Sequence, residues 1–158
     1  MNTIIIKDNQ RKNAYPGLFG STIFRGLPLF SYAENLFYNG LSQMVVGYSG
    51  GFFEFLKLIK HDDLSEIEQD GFIPLISDNA NVSFTSPFGV TKNLSFKAAS
   101  LVTWLIVLEQ IANNNEVVRD KLYRVIQDIK YTYSDLTDEK GNKLFSEVDC
   151  NAIYRILD

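Results

Sequence analysis

One segment in the second half of the chain is apolar on nearly every side of a helix. Ser95 has the side chain of a helix N-cap, and the helix predicted after it covers residues 96–113. Its apolar residues are Phe96, Ala99, Leu101, Val102, Leu105, Ile106, Leu108, Ile111 and Ala112. Only a narrow polar stripe remains, formed by Lys97, Ser100 and Thr103. A helix with so little polar surface has to be covered on all sides, so we expect it in the middle of the fold.

The elements predicted around this helix are three further helices and a small antiparallel sheet. Pro28 opens a helix whose apolar spacing stops near Gly40, and two amphipathic helices are predicted at residues 116–131 and 144–157. The inner face of the first of these two is formed by Val117, Val118, Leu122, Val125, Ile126 and Ile129. This order of helix, strands and helices predicts an α+β fold.

The strands are predicted at residues 52–59, 72–77 and 82–86, joined as an antiparallel meander. Residues 78–81 have the composition of a hairpin loop between the last two strands. Pro74 cannot donate a backbone hydrogen bond, so its strand is expected at an edge or a bulge. A turn is predicted at residues 140–143, ahead of the last helix.

Length and composition predict one domain in a reducing compartment. The 158 residues, 46% of them hydrophobic, are enough for a single core, and we assign residues 1–158 to one domain with an extended or loosely ordered segment at 1–17. Cys150 and His61 are the only cysteine and histidine, so we expect no intrachain disulfide, no metal site and no cofactor. Neither a signal peptide nor a membrane span is recognised, which predicts a cytoplasmic protein without membrane contact.

The charge pattern argues against direct contact with nucleic acid. The net charge is −4, and five acids without an intervening base lie between residues 61 and 70, namely Asp62, Asp63, Glu66, Glu68 and Asp70. A protein that imitates DNA needs acids along most of its length, and a DNA-binding protein needs a basic surface. The sequence has neither pattern, so no nucleic-acid partner is expected.

A glycine-rich turn at residues 47–51 carries the motif that bears most on function. Gly-Tyr-Ser-Gly-Gly matches the G-x-S-x-G pattern of a hydrolase nucleophile elbow, which would make Ser49 the nucleophile. His61 is the only candidate base, and Glu54 is the only acid between it and Ser49. Hydrolases with this elbow place acid and base on later loops of a larger sheet, so a small serine hydrolase is the alternative hypothesis.

Glu54 follows the same turn inside an aromatic strand. A buried carboxylate needs a partner, and Arg25 or Lys57 could form an ion pair with it. The other hypothesis makes Glu54 an anchor for a partner protein, because aromatic residues such as Tyr48 are common at interface hot spots. In a third interpretation, the Gly50-Gly51 pair only shapes the fold.

The segment from Tyr48 to Phe55 resembles the Tyr-x-Gly-Gly-x-aromatic-Glu-aromatic segment of the ArdB/KlcA antirestriction family. Leu94-Ser95 followed by Ala98-Ala99 is similar to the family's Leu-Ser-x-x-Ala-Ala helix opening. Further similarity lies at Phe24-Arg25-Gly26, at Leu122-Tyr123-Arg124 and in the acidic end of the last helix. The chain departs from the family pattern around residues 131–143.

This resemblance implies a small cytoplasmic protein of plasmids or other mobile elements that relieves host type I DNA restriction without being an enzyme. It implies contact with a host protein, such as the type I restriction-modification complex, rather than DNA mimicry, and it implies no catalytic residue. The partner-binding residues we expect are Tyr48, Gly50, Gly51 and Glu54, with Arg25 and Asp158 as weaker candidates. The oligomeric state is left open.

Overall fold

The computed structural model describes residues 2–6, 19, 23–48, 50, 53–59, 72–76, 78–138 and 140–157, with backbone alone for 2–6, 53–59 and 72. The described strands are β1 Asn2–Ile6, β2 Ile23–Phe24, β3 Leu27–Pro28, β4 Phe53–Ile59, β5 Phe72–Ile76, β6 Asn81–Thr85 and β7 Thr91–Ser95. The described helices are α1 Leu29–Met44, α2 Phe96–Asn114, α3 Glu116–Thr132 and α4 Glu147–Leu157, with a 3-10 turn at Tyr133–Asp135. The predicted α+β class is confirmed.

Helix α2 lies at the centre, as its sequence predicts, with α1, α3, α4 and β5 packed against it. Ser95 caps it, since the Ser95 hydroxyl accepts a hydrogen bond from the Ala98 N–H at 3.1 Å. The indole of Trp104 is fully buried and meets the rings of Phe19 and Phe37 edge-on, at centroid distances of 6.2 and 5.7 Å. These aromatic contacts join α2 to α1 in the core.

Two of the three residues in the polar stripe of α2, Ser100 and Thr103, are buried as well. Ser100 donates to the Lys97 carbonyl at 2.6 Å and accepts from the Ile76 N–H at 3.1 Å, which ties β5 to the helix. Thr103 donates to the Ala99 carbonyl at 2.8 Å. Both hydroxyls therefore have the partners that burial requires, while Lys97 at the start of the stripe is half-buried.

Helix α1 runs beyond its predicted end, passing through Gly40 to Met44. A Cβ atom at Gly40 would lie 3.0 Å from Thr103 Cγ2 and 3.2 Å from Met44 Cε. The glycine thus allows α1 to approach α2 closely rather than ending the helix, which is why the prediction of an end near Gly40 was wrong.

The sheet connectivity differs from the predicted meander. Strands β1, β4 and β5 form one antiparallel sheet in the order β1-β4-β5, and the partner of β6 is β7, a strand that was not predicted from the sequence. The segment between β5 and β6 is not a hairpin loop, because Asp78 and Ala80 use their carbonyls to accept from Lys97 and Phe96 at the start of α2. Pro74 does lie on β5, the edge strand of the first sheet, as predicted.

Two details of the C-terminal helices also differ. Helix α4 begins at Glu147 rather than 144, because the Leu144 N–H donates to the Leu136 carbonyl at 2.9 Å and Ser146 accepts from the Asp149 N–H at 3.1 Å as the cap. Val117, predicted on the inner face of α3, is 83% exposed. The predicted turn at 140–143 is confirmed, since Asp138 accepts from the backbone N–H groups of Lys140 and Asn142.

Candidate partner-binding surface

Tyr48 is the best-defined residue of the candidate surface. It follows α1 in a turn where its N–H donates to the Val45 carbonyl at 3.3 Å. Its half-buried ring meets the ring of Phe96, the first residue of α2, edge-on at a centroid distance of 5.8 Å. Burial raises the pKa of the Tyr48 phenol above its ordinary value, so the side chain is neutral at physiological pH and can donate a hydrogen bond to a partner.

Glycines hold the backbone on both sides of Tyr48 in left-handed conformations. Gly47 has φ +76° and Gly50 has φ +112°, values that favour glycine over every other residue. Gly50 is exposed, and apart from its chain neighbours no atom of a described residue lies within 4 Å of the position that a Cβ would occupy there. A partner could therefore come close to the backbone at Gly50 without meeting a side chain.

The remaining residues of the segment are described in part or not at all. Glu54 lies in β4, paired in register with Leu75 of β5, and its side chain is outside the described part of the structure. Ser49, Gly51, His61 and Asp158 also lie outside the described residues. The ion pair considered for Glu54 and the nucleophile considered at Ser49 therefore stay predictions.

Arg25 lies in a tight hairpin turn between β2 and β3. Its φ is +53°, and Gly26 after it has φ +79°, the pair of positive values that a type I′ turn requires. The Arg25 guanidinium carbon is 5.1 Å from the centroid of the Phe24 ring, and that ring packs against Tyr32 at 4.7 Å. Arg25 thus presents an exposed cation whose position is fixed by an aromatic neighbour.

Arg25 and Tyr48 do not form one patch. Arg25 lines a cavity of about 260 Å³ together with Gln110 and Asn114, at the C-terminal end of α2. Tyr48 contacts Phe96 at the N-terminal end of the same helix. At 1.5 Å per residue, Phe96 lies roughly 20–27 Å along the helix axis from Gln110 and Asn114. A single small epitope cannot include both residues, so a partner that uses both must span the length of α2.

A buried carboxylate that was not predicted from the sequence joins three elements near this surface. Asp149 of α4 accepts from the Ser95 N–H at 2.8 Å and from the Ser95 hydroxyl at 2.7 Å. Ser95 ends β7 and caps α2, so this one side chain connects the three. The only sequence signal was an acid in the first turn of a helix, which is common at helix starts and says nothing about a distant partner.

A cavity of about 820 Å³ adjoins this cluster. Lys97, Lys143 and Cys150 are among its lining residues. Burial raises the pKa of the Cys150 thiol, and the negative charge of Asp149 raises it further. A thiol that stays protonated is a poor nucleophile, so the cavity offers no activated group for covalent chemistry at Cys150.

Metal clusters and membrane-spanning helices are both absent from the described part of the chain. No group of three or more His, Cys, Asp or Glu side chains is arranged to hold a metal ion within those ranges. No helix described in the structure combines the length and the apolar character needed to cross a bilayer.

No protein-family model and no curated protein matches the sequence. Among solved structures, the chain is similar to one described as follows: the KlcA and ArdB proteins show a novel fold and antirestriction activity against type I DNA restriction systems in vivo but not in vitro. The TM-score is 0.70 at 19% sequence identity, and the match covers 99% of this chain and 94% of that chain. The present chain therefore has the fold of the KlcA and ArdB proteins, as the resemblance of its central segment implied.

Proposed function

We propose that the protein is an antirestriction protein of a mobile element, which relieves type I DNA restriction in the host cytoplasm without catalysis. The observation that carries the proposal is the fold shared with the KlcA and ArdB proteins over nearly the whole chain. The Tyr48–Phe55 segment supports it independently, because the resemblance rests on residue identities rather than on backbone shape.

The proposed mode of action is contact with a host protein, such as the type I restriction-modification complex. The net charge of −4 is small, because 15 Lys and Arg residues offset 19 Asp and Glu residues, and the one run of acids without an intervening base is the five in residues 61–70. A DNA-binding cleft responds to an extended field of negative charge, which this distribution does not supply. With DNA mimicry unsupported, binding to a host protein through a complementary surface is the proposed mode of action.

The proposed contact surface consists of Tyr48, Gly50, Gly51 and Glu54, with Arg25 and Asp158 as secondary candidates. Its physical basis is the exposed backbone at Gly50 beside the half-buried ring of Tyr48. Bare backbone next to an aromatic ring lets a partner chain bind by hydrogen bonds and ring packing together.

The direct test is the plating efficiency of an unmodified phage on cells with a type I restriction system, with and without the protein. The assay belongs in cells, because the activity described for KlcA and ArdB is seen in vivo but not in vitro. We expect plating to rise when the protein is expressed. Phage that already carries the host modification is the control and should plate equally in both strains. Unchanged restriction at good soluble expression would refute the proposal.

The contact surface is tested by a matched pair of glycine variants. Gly50 and Gly141 are both exposed and both have positive φ, and apart from chain neighbours neither has an atom of a described residue within 4 Å of the position that an alanine methyl group would occupy. Alanine at either position should therefore cost about 1–2 kcal/mol of folding stability through backbone strain. We expect only Gly50→Ala to reduce relief of restriction strongly. Equal losses of relief in the two variants would mean that stability, not contact, explains the effect.

Glu54→Gln tests the carboxylate in the same assay. The substitution keeps the size of the side chain and removes its charge, so a contact that needs the anion is weakened while the fold is retained. We expect reduced relief with little change in the free energy of unfolding. Full relief by Glu54→Gln would remove Glu54 from the proposed surface.

A further inference from the structure

Along the hairpin of β6 and β7, the backbone N–H and C=O groups of successive residues point alternately toward the paired strand and away from it. The Ser86 N–H donates to the Val90 carbonyl and the Phe96 N–H donates to the Ala80 carbonyl, both at 2.9 Å, at the two ends of the hairpin. In the register that joins them, Phe84 pairs with Lys92. The hydrogen-bonded pairs of an antiparallel ladder alternate with non-hydrogen-bonded pairs, so the backbone N–H and C=O groups of Thr91 and Asn93 point away from β6.

Two of the other backbone groups that point away from the hairpin form hydrogen bonds, one on each strand. On β6, the Ser83 carbonyl accepts from the Val46 N–H at 3.0 Å, and Val45 forms a bridge with Phe84, so the segment after α1 covers that edge. On β7, the Ser95 N–H donates to Asp149 at 2.8 Å. Both contacts agree with the alternation derived from the hairpin ends.

Among the described residues, nothing comparable covers the first half of β7. Thr91 and Asn93 are exposed, and among the described residues no hydrogen bond reaches their backbone N–H or C=O groups. An uncovered strand edge is a template for another strand unless proline, a bulge or outward charge blocks it. Neither proline nor a bulge interrupts this stretch of β7, and its one charge is that of Lys92, which an acidic side chain on an added strand would neutralise. Near the tip of the same hairpin, Phe88 is 87% exposed and offers an apolar group to an added strand.

The charge of Lys92 favours a strand from another protein over a second copy of this chain as the strand that pairs with this edge. Lys92 is half-buried between the two free residues, and it has no ion pair or hydrogen bond to any described residue. A second copy that paired Thr91 with Asn93 and Asn93 with Thr91 would put Lys92 directly opposite the partner's Lys92. Like charges at opposed positions destabilise a strand pair, whereas opposite charges stabilise it. A strand from another protein with an acidic residue at that position avoids the repulsion.

We propose that the free edge of β7 at Thr91–Asn93 accepts an extended segment of a partner protein as an added antiparallel strand, with an acidic side chain opposite Lys92. The two free residues supply about four backbone hydrogen bonds to such a strand. This proposal names a mode of partner contact, and it rests on the proposed function only for the identity of that partner.

The test uses a capped peptide of alternating threonine and valine with one central glutamate, and amide hydrogen exchange measured by NMR on the full chain. We expect saturating peptide to slow the exchange of the Thr91 and Asn93 amides by about tenfold or more, with little change elsewhere in the hairpin. A peptide of the same sequence with N-methylated amides should not protect either residue. Absence of protection, or equal protection by the N-methylated peptide, would overturn the proposal.

Variants separate a backbone contact from a general effect on the fold. Asn93→Pro removes an outward N–H without breaking a hydrogen bond to β6, and we expect roughly tenfold weaker peptide binding. Asn81→Pro is the matched control, because Asn81 is exposed and its N–H also points outward, but on β6. Binding by Asn93→Pro at the wild-type level would contradict the proposed edge.

The acidic residue opposite Lys92 is tested by a charge exchange. Lys92→Glu should weaken binding of the glutamate peptide and strengthen binding of the same peptide with a central lysine. If neither affinity changes, the proposed chemistry of the partner is wrong. Relief of restriction by Asn93→Pro is measured separately from peptide binding. If the wild-type protein does not relieve restriction, the proposed function is refuted, and the peptide experiment still decides whether the edge of β7 accepts a strand.

Discussion

Gly40 lies where helix α1 comes closest to helix α2. Alanine there would gain about 1 kcal/mol from helix propensity, but its methyl group would lie 3.0 Å from Thr103 Cγ2. The hydrogen bond from Thr103 to the Ala99 carbonyl fixes that methyl, so it cannot turn away freely. We predict that Gly40→Ala lowers the free energy of unfolding by about 1 kcal/mol, measured by urea denaturation.

The effect of Gly40→Ala on stability should change sign when the Thr103 methyl group is removed. Thr103→Ser deletes Cγ2 and keeps the hydroxyl, so in that background Gly40→Ala is expected to stabilise the protein by up to about 1 kcal/mol. Asn39→Ala, on an exposed position of α1, reports the propensity effect without the contact. Additive effects of Gly40→Ala and Thr103→Ser would show that the two groups do not compete for space.

Cys150 provides a prediction about pH. Burial raises its thiol pKa above the ordinary 9.0, and the negative charge of Asp149 adds to the effect. The neutral thiol therefore contributes stability below the pKa of the unfolded chain, and this contribution is lost as the pH rises through the folded pKa. We expect iodoacetamide to label the native protein at a higher pH than the urea-unfolded protein. Coincident pH profiles would contradict this expectation.

Residue roles were predictable where they depend on neighbours in the chain. Ser95 was identified as a cap because its partner, the Ala98 N–H, lies three residues away. Its second partner, Asp149, lies 54 residues away and has no sequence signal. The local chain therefore specifies the start of α2, while the contact that holds it against α4 depends on the complete fold.

At the scale of elements, the strands differ in how strongly their composition marks them. Strands β4 and β5 are rich in aromatic and branched residues and were predicted within one or two residues of their ends. Strand β7 reads Thr-Lys-Asn-Leu-Ser, which is polar and short, and it was missed. It forms because Gly89, at φ +85°, turns the chain back after β6 and pairs the two segments.

Helix α4 should depend on its carboxylate link for docking. Asp149→Ala leaves the Ser95 N–H and hydroxyl without their shared buried partner, and we predict a loss of about 3 kcal/mol in the free energy of unfolding. Asp149→Asn retains an oxygen for the Ser95 N–H and should lose about half as much. Glu147→Ala, an exposed acid in the same helical turn, is the control and should be nearly neutral. Similar losses for alanine at both positions would rule out the buried link as the cause.

For the whole molecule, the apolar pattern of α2 was enough to predict a central helix, and the order of helix, strands and helices was enough to predict an α+β arrangement. The pairing of β6 with β7 and the position of Arg25 relative to Tyr48 could not be predicted, because both depend on distances between parts of the chain far apart in sequence. The candidate surface was found through its motif. Its division between the two ends of α2 became visible only in three dimensions.

Trp104 is the only tryptophan in the chain, and its ring is fully buried between Phe19 and Phe37. The intrinsic fluorescence of the protein therefore reports a single point at the centre of the core. If all the helices unfold together, the red shift of Trp104 emission and the loss of far-ultraviolet ellipticity should share one midpoint in urea. Separate midpoints would show that part of the helical structure melts independently of the core. The protein thus carries its own optical probe, and no engineered label is needed to compare the stability of its variants.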